Sequence, residues 1–195
     1  MKDLVETMAD VRINDFVIKI GNVNGTGSAS ANGLVMKAIF RMGVPVVLTA
    51  GGAGAIAVAA EALAPARLAD LRALGLPELA LTARRAATLK ARAYDGDLAR
   101  LALPAGAGVD WVAAMADPVD DLSTPMKGPF RAIRDGDARL HRAAILLAKS
   151  AHLLPAALLV PLADPLPLAA AHGLTLIDAE AALPALAAFS PLQPV

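Results

Sequence analysis

The sequence predicts an α/β (α+β) domain in which helices cover a mixed β-sheet. Short β-prone runs alternate along the chain with segments whose apolar residues recur at helical spacing. The chain has 195 residues, of which 56% are hydrophobic, so it can bury one sizeable core. Much of this fraction is alanine and leucine, which favour helices.

The composition excludes several classes of function. Eighteen basic residues balance eighteen acidic ones, so we expect no nucleic-acid partner and no anionic-membrane partner. The chain has no cysteine, which removes disulfides, thiol catalysis and cysteine-bound zinc. Residues 42–60 form a long uncharged run, but Pro45 and the glycines of 51–54 favour strand, turn and helix over a membrane span. The polar N-terminus shows no export signal, so we expect a cytoplasmic protein.

The first half of the chain predicts two strands that each lead into a helix through a glycine-rich loop. Val44 to Thr49 is strongly β-prone and predicts a buried strand. Gly43 should end the helix before it. The predicted elements are a strand at 16–20, a loop at 21–28, a helix to about 42, a strand at 44–49, a loop at 51–54, and helices at 55–64 and 65–74.

The second half continues the alternation. Residues 137–153 form the clearest amphipathic helix, and Pro155 stops it. Residues 117–130 form the longest polar loop. The remaining predicted elements are strands at 79–82, 98–103, 158–162 and 174–177, and helices at 83–93, 109–115, 167–172 and 178–188.

The first glycine loop, GNVNGTGSASANG, has features of a phosphate-binding loop. Its candidate ligand-binding residues, for a nucleotide or phosphate, are Gly25, Thr26, Gly27 and Ser28. Small residues let backbone N–H groups approach a phosphate, and a following helix N-terminus favours its negative charge. The lysine of a P-loop is missing. The alternative interpretation is a tight turn that starts a helix.

The second glycine loop, Gly52-Ala-Gly54-Ala-Ile-Ala57, matches a variant of the dinucleotide-binding spacing. No acid for a ribose stands at the end of the next predicted strand, where the sequence has Arg84 and Arg85. A tight turn is the favoured interpretation of this loop.

Side chains that could carry chemistry are few. Asp117, Asp120 and Asp121 share one loop and could bind a divalent cation, although turn formation and helix capping are the favoured roles. His141 and His152 should lie near one face of the same helix. A basic stretch could be a solvated helix face or a surface for an anion or partner, and it comprises Arg84, Arg85, Lys90 and Arg92.

Residues 12–46 include the segment NDFVIKIGNVNGTGSASANGLVMKAIFRMGVPV, and they resemble the N-terminus of the large (alpha/gamma) subunit of 2-oxoacid:ferredoxin oxidoreductases of the 2-oxoglutarate type. The resemblance implies a Rossmann-like opening segment and a nucleotide-type ligand at Gly21–Gly33. The thiamine-diphosphate motif and cluster-binding cysteines of that family do not appear here.

From about residue 44 onward the chain resembles a different family. The segments VVLTAGGAGAIAVAAEALAPARL, TARRAATLK, DPVDDLSTPMKGPF and LAKSAHLLPAALLVPLA are similar to the degenerate region that precedes GTP cyclohydrolase II in riboflavin biosynthesis. That region is itself similar to 3,4-dihydroxy-2-butanone 4-phosphate synthase. The resemblance implies a dihydroxybutanone-phosphate-synthase-like fold and suggests a homodimer.

Departures from the synthase pattern remove its chemistry. The synthase has an acidic loop after its first long strand, whose carboxylates bind Mg²⁺ and act on a sugar phosphate, whereas this chain has Thr49-Ala-Gly-Gly-Ala-Gly54. The synthase also has His-Thr-Glu at the start of a late helix, where this chain has Leu140-His141-Arg142. We therefore expect no catalytic residue, no metal site and no required cofactor.

The two resemblances divide the chain into an oxidoreductase-like segment at 1–43, a synthase-like domain at 44–188 that forms one globular unit with it, and a linker-like tail at 189–195. The preferred hypothesis is a non-catalytic structural or docking domain. Its expected partner is a GTP cyclohydrolase II catalytic domain or another riboflavin-pathway protein. The alternative is a fragment of an oxidoreductase subunit that binds a nucleotide-type ligand, and a chimera without function is a third hypothesis.

Overall fold

A computed structural model describes residues 27–182 of the chain. The predicted strand at 16–20, Gly25, Thr26 and the tail at 189–195 lie outside the described residues. The predicted last helix begins at residue 179 and is helical to the end of the described range.

Besides the helical residues that begin at 179, the described range contains six strands and six α-helices. They are α1 (Gly27–Arg41), β1 (Val46–Ala50), β2 (Ala53–Ala59), α2 (Pro65–Leu74), β3 (Glu78–Thr82), α3 (Ala83–Thr88), β4 (Leu98–Ala102), α4 (Val109–Ala116), α5 (Arg139–Ser150), β5 (Ala156–Leu162), α6 (Leu166–His172) and β6 (Thr175–Asp178). A 3₁₀ turn, Pro118–Asp121, follows α4.

The strands form one six-stranded sheet in the order β4-β3-β5-β2-β1-β6. The β1 and β6 strands are parallel, and the other neighbouring pairs are antiparallel. The predicted fold class, a mixed sheet covered by helices, is confirmed. No helix among residues 27–182 has the length and apolar character that crossing a bilayer requires.

The predicted helix at 55–64 is wrong, because its first residues belong to the central strand β2. Alanine favours helices, but this segment is paired on both edges, by β1 and by β5. Its side chains alternate between the two faces of the sheet: Ala55, Ala57 and Ala59 face one core cluster, and Ile56 and Val58 face the other. Burial on both faces therefore outweighs the helix propensity of the alanines.

Helices cover both faces of the sheet. On one face, α1 and α5 pack over β1, β2 and β5, and this core includes the fully buried Phe40 and Leu147. On the other face, α2 and α4 contribute Leu71, Val112 and Met115. The alanines of β2 lie on the α5 side, where their small side chains let the long amphipathic helix approach the sheet closely.

Two predicted helices end earlier than their sequence pattern suggests. Helix α3 ends at Thr88 rather than near 93, and Lys90 beyond it has a left-handed φ of 58°. Helix α5 ends at Ser150, and His152 beyond it also has a φ of 58°. The prediction that His141 and His152 share a helix face is therefore wrong, since His152 lies outside α5.

Gly43 follows α1 with a φ of 71°, and its N–H donates to the Phe40 carbonyl at 3.2 Å. A Cβ atom at this position would overlap the carbonyl oxygen of Ala62. Left-handed backbone and close packing both require glycine here. The predicted end of the first helix is thus confirmed to within two residues.

Candidate functional site

The turn between β1 and β2 occupies the place where the synthase resemblance puts an acidic loop. Ala50 pairs with Ala53, and Gly51 and Gly52 form the two-residue connection. Their φ angles are 54° and 81°, as a type I′ hairpin turn requires at both central positions. This second glycine loop is therefore a tight turn in a hairpin. Neither β1 nor β2 carries an acidic side chain.

The guanidinium of Arg139, at the start of α5, lies beside this turn. A Cβ atom on Gly51 would stand 3.1 Å from the Arg139 Nη2 atom. Arg139 also pairs with the carboxylate of Asp137 and, at 2.8 Å, with Glu180. A backbone hydrogen bond from Arg139, together with its side chain, lowers the pKa of Asp137, and the Asp137 carboxylate raises the pKa of Arg139. The cation nearest the turn is thus already engaged by two acids.

The next residues of α5 are held by acids from distant strands and loops. His141 Nε2 lies 2.8 Å from Glu78 Oε2 on β3, and both side chains are largely buried. The His141 Nδ1 atom is buried and has no hydrogen-bond partner. Leu140, which replaces the histidine of the synthase pattern, is buried in the core below the helix.

Arg142, which replaces the glutamate of that pattern, pairs with Asp97 through hydrogen bonds of 2.8 and 2.9 Å. The bond from Arg142 lowers the pKa of Asp97, and Asp97 raises the pKa of Arg142. Asp95 two residues earlier binds Arg100 in a two-point ion pair, and Gly96 between the acids has a φ of 83°. The turn at 95–97 thus supplies the acids of two ion pairs.

In the acidic loop at 117–121, Asp117 caps the 3₁₀ turn, as the favoured interpretation of this loop expects, and Asp121 forms ion pairs. Asp117 Oδ1 accepts a hydrogen bond of 2.9 Å from the Val119 N–H at the start of the 3₁₀ turn. Asp121 is bound by Arg85 and by Lys127. Among residues 27–182, no group of three or more histidine, aspartate or glutamate side chains could hold a metal ion.

The residues predicted for the first glycine loop are only partly described. Gly27 and Ser28 are the first residues of α1, as the helix-starting interpretation of this loop requires. Gly25 and Thr26 precede the described range, so a phosphate site at this loop stays a prediction.

Three buried or pocket-lining cations were not singled out from the sequence. Arg100 is buried on β4 and bonds the carbonyl of Asp135. Lys127 is buried and donates to the Ala114 carbonyl at 2.8 Å. Arg131 lines a cavity together with the basic stretch after α3. The sequence did hold one signal for Arg100, because an arginine in the middle of the otherwise apolar, buried strand LARLA needs a hydrogen-bond partner in the fold.

The fold of the described residues is similar to that of 3,4-dihydroxy-2-butanone 4-phosphate synthase. A crystal structure of 3,4-dihydroxy-2-butanone 4-phosphate synthase in a cation-free form superposes with a TM-score of 0.59 at 15% identity, over 80% of this chain and 96% of that chain. The synthase of Candida albicans has a TM-score of 0.55 at 16% identity, over 78% and 96% of the two chains. The two-domain synthase RibBX from A. baumannii has a TM-score of 0.52 at 17% identity, over 75% and 55%.

The likeness at these identities is one of fold. No protein-family model matches the sequence, and no curated protein matches it. The structural neighbours confirm the synthase-like fold that the segments after residue 44 indicated, and they support neither the link to GTP cyclohydrolase II nor the oxidoreductase resemblance.

Proposed function

We propose that this chain is a non-catalytic synthase-like domain that serves riboflavin biosynthesis in the cytoplasm. Its role is that of a structural or partner-docking unit, and its partner is a GTP cyclohydrolase II catalytic domain or another protein of the pathway. The observation that carries the proposal is the acid-free hairpin of β1 and β2, in a chain whose fold is similar to that of a synthase over 80% of this chain and 96% of the synthase chain.

The hairpin has nothing with which to bind a divalent cation or to remove a proton. Magnesium needs carboxylate or other oxygen ligands, and enolisation of a sugar phosphate needs a base within hydrogen-bond reach of the reacting carbon. The turn offers Gly51 and Gly52, and the adjoining strand ends offer Thr49 and Ala53. Thr49 Oγ1 is 3.5 Å from the Ile177 carbonyl, so its weak bond holds it to the neighbouring strand.

The start of α5 supports the same conclusion. The synthase-pattern histidine and glutamate positions hold Leu140 and Arg142, and the histidine between them is bound to Glu78. Arg142 is held by Asp97, so a carboxylate from elsewhere in the fold contacts each of the two polar residues of this turn. A fold retained without its chemistry accounts for these replacements.

An assay of ribulose 5-phosphate turnover tests the absence of catalysis. The purified chain, with Mg²⁺, should consume no ribulose 5-phosphate above the rate of a blank, while an active synthase serves as the positive control. Consumption of ribulose 5-phosphate that depends on Mg²⁺ and on enzyme concentration would overturn the proposal. A Gly51→Arg, Gly52→Arg variant would then show whether the hairpin turn is the site.

Association with purified GTP cyclohydrolase II tests the docking role. Sedimentation velocity of the mixture should show a complex that neither protein forms alone. A mixture that sediments as two independent species at concentrations of about 10 μM, where specific partners of micromolar affinity would associate, contradicts the docking role. It would leave the result of the turnover assay unaffected.

The second candidate, a fragment of an oxidoreductase subunit, rests on the resemblance of residues 12–46 and on α1 beginning at Gly27, within the glycine-rich stretch. In this function the loop from Gly21 to Gly33 would hold the phosphates of coenzyme A or a dinucleotide at the helix N-terminus. A thermal shift by one of these ligands that disappears in Gly25→Val supports it. The absence of any shift removes it.

A further inference from the structure

The outer edge of β6 has no partner strand among residues 27–182. The two edge strands of the sheet are β4 and β6. The outer edge of β4 is covered, because the Ala102 N–H donates to the Arg131 carbonyl at 2.9 Å and the Ile133 N–H donates to the Arg100 carbonyl at 2.8 Å. In this part of the chain β6 is paired with β1 alone. Unpaired N–H and C=O groups on an edge strand are a template for a further strand.

The chain before α1 supplies a segment that could fill this place. The run FVIKI at 16–20 is β-prone, and residues 21–26 separate it from the first residue of α1. Six residues are an ordinary length for the connection between a strand and the helix that follows it. Helix α1 packs over β1 and β2 and joins β1 through residues 42–45, so α1 begins toward the carboxyl ends of β1 and β6. A strand parallel to β6 would end on that side of the sheet.

The described part of the fold contains one crossover between parallel strands, and it sets the frame for a second. Strands β5, β1 and β6 run in the same direction, because β5 and β1 each pair antiparallel with β2 and β6 pairs parallel with β1. From β5 to β6 the chain passes through α6, whose Leu168 packs on the face of the sheet that buries Leu71. Helix α1 lies on the opposite face, where Phe40 is buried.

The handedness of such crossovers selects the side on which a strand before α1 would lie. Connections between parallel strands of one sheet are almost always right-handed. Two crossovers of the same hand on opposite faces run in opposite directions across a sheet. Since the chain moves from β5 toward β6 through α6, it would move through α1 from the β6 side toward β1. The free position on that side is the outer edge of β6.

The side chains of β6 leave apolar and charged groups open at this edge. Ile177 is buried on the α1 face. Leu176 lies on the α6 face, where it lines a cavity together with Leu166 and is 49% exposed. Asp178 is exposed and forms no ion pair within residues 27–182. A neighbouring strand could therefore contribute an apolar residue and a cation on the α6 face.

The alternation of FVIKI matches these needs in one register. With Ile18 on the α1 face, Val17 stands beside Leu176 and Lys19 stands beside Asp178. The register covers the exposed leucine with an apolar neighbour and places a lysine next to a carboxylate. A slip of one residue would turn Lys19 toward the face on which β6 is buried.

We propose that residues 16–20 form a seventh strand, parallel to β6 and bonded to its outer edge, with Lys19 beside Asp178. The occupant is a segment of the same chain because a six-residue connection to α1 gives it a far higher effective concentration than a second copy has. The inference goes beyond the function proposed above and does not depend on it. It holds whether or not the glycine loop binds a ligand, so the thermal-shift test of that loop is a separate experiment.

Hydrogen exchange of the full chain tests whether the strand forms. We expect the alternate amides of residues 16–20 that point to β6 to exchange at least about tenfold more slowly than in an unstructured peptide. Lys19→Glu should speed their exchange, because it sets two carboxylates side by side, whereas the control Lys2→Glu, outside FVIKI, should not. Exchange of all five amides at the unstructured rate overturns the strand. Equal exchange in the two variants overturns the register.

Disulfide cross-linking of the full chain tests where the strand lies, because the natural sequence has no cysteine. The test variant is Val17→Cys with Leu176→Cys, since neighbouring strands lie about 4.8 Å apart, within the span of a disulfide. The control is Val17→Cys with Leu122→Cys. Leu122 is 95% exposed and follows Asp121, which is bound to α3 at the other end of the sheet.

We expect mild oxidation to give an intrachain cross-link between residues 17 and 176 in the test variant and none in the control, as measured by mass spectrometry of the digested protein. A cross-link that forms only between chains would show that a second copy occupies the edge, and it overturns the proposal. Equal cross-linking in the two variants, or none in the test variant, overturns the pairing with β6.

Discussion

Arg85 and Asp121 form a two-point ion pair in which Nη1 lies 2.6 Å from Oδ2 and Nη2 lies 2.7 Å from Oδ1. The same guanidinium donates to the carbonyls of Met115 and Ala114 at 2.7 and 2.9 Å, so it closes the end of α4. The Lys127 ammonium also contacts the Asp121 carboxylate, and it donates a hydrogen bond of 2.8 Å to the Ala114 carbonyl. One buried arginine therefore joins α3, α4 and the loop that follows.

Arg85→Ala should destabilise the fold by about 3 kcal/mol, because it leaves the carbonyls at the end of α4 buried without a donor. Urea unfolding followed by circular dichroism measures the change. Arg84→Ala is the matched control, since Arg84 is the exposed neighbour on the same helix, and it should change the free energy of unfolding by less than about 0.5 kcal/mol. Equal effects of the two substitutions would show that Arg85 carries no structural role.

We expect the free energy of unfolding to fall at low pH, because protonation of Asp121 removes its contacts with Arg85 and Lys127. Hydrogen bonds from Arg85 and then Lys127 hold the pKa of Asp121 far below its usual range. Because the folded pKa lies below the unfolded value of about 3.9, the carboxylate stabilises the fold above pH 4 or so, and this contribution is lost as the pH falls toward the folded pKa. Asp97 and Asp137, whose pKa values are also lowered, act in the same direction.

Free energies of unfolding from pH about 7 to about 2 check this dependence. Asp121→Asn should be less stable than the natural sequence at neutral pH, and the difference should shrink as the pH drops below about 4. The Asp135 side chain is exposed and makes no ion pair within the described residues. The free energy of unfolding of Asp135→Asn should therefore change with pH as that of the natural sequence does. A constant difference for Asp121→Asn across the range would contradict the assignment.

Gly43→Ala should cost about 2 kcal/mol or more of stability. The added Cβ would meet the Ala62 carbonyl oxygen, and alanine is strained at a φ of 71°. Gly106→Ala is the control, because a Cβ there meets nothing within 4 Å and the backbone is not left-handed. Thermal unfolding should show a lower Tm for the first variant and little change for the second. A Tm equal to that of the natural sequence in Gly43→Ala would argue against the position of Ala62.

His141 and Glu78 should be energetically coupled. They lie 63 residues apart in the sequence and meet at 2.8 Å between largely buried side chains, so removal of one leaves the other without its partner. A double-mutant cycle with His141→Leu and Glu78→Gln should give an interaction energy of about 1–2 kcal/mol. Additivity within about 0.3 kcal/mol would show that the contact contributes nothing.

Much of this fold follows from local sequence. The β-branched run Val46-Val47 and the glycine at position 43 sufficed to place β1 and the end of α1, because backbone preference and steric limits act locally. The apolar periodicity of residues 137–153 sufficed to place α5. The absence of acids around Gly51 and Gly52, on which the proposed loss of catalysis rests, could likewise be read from the sequence alone.

Tertiary structure decided what depends on neighbours distant in the chain. The alanine-rich stretch after Gly54 became β2 because β1 and β5 bond both its edges, an arrangement that local propensity does not contain. Arg85, assigned from the sequence to an exposed basic stretch, is buried because α4 and Asp121 provide its partners. Lys90 and Arg131, about forty residues apart, line one cavity only because the chain returns beside β4. Ion pairs and cavities form between residues that are distant in the sequence. The packing of the helices and strands therefore determines them, and local sequence does not.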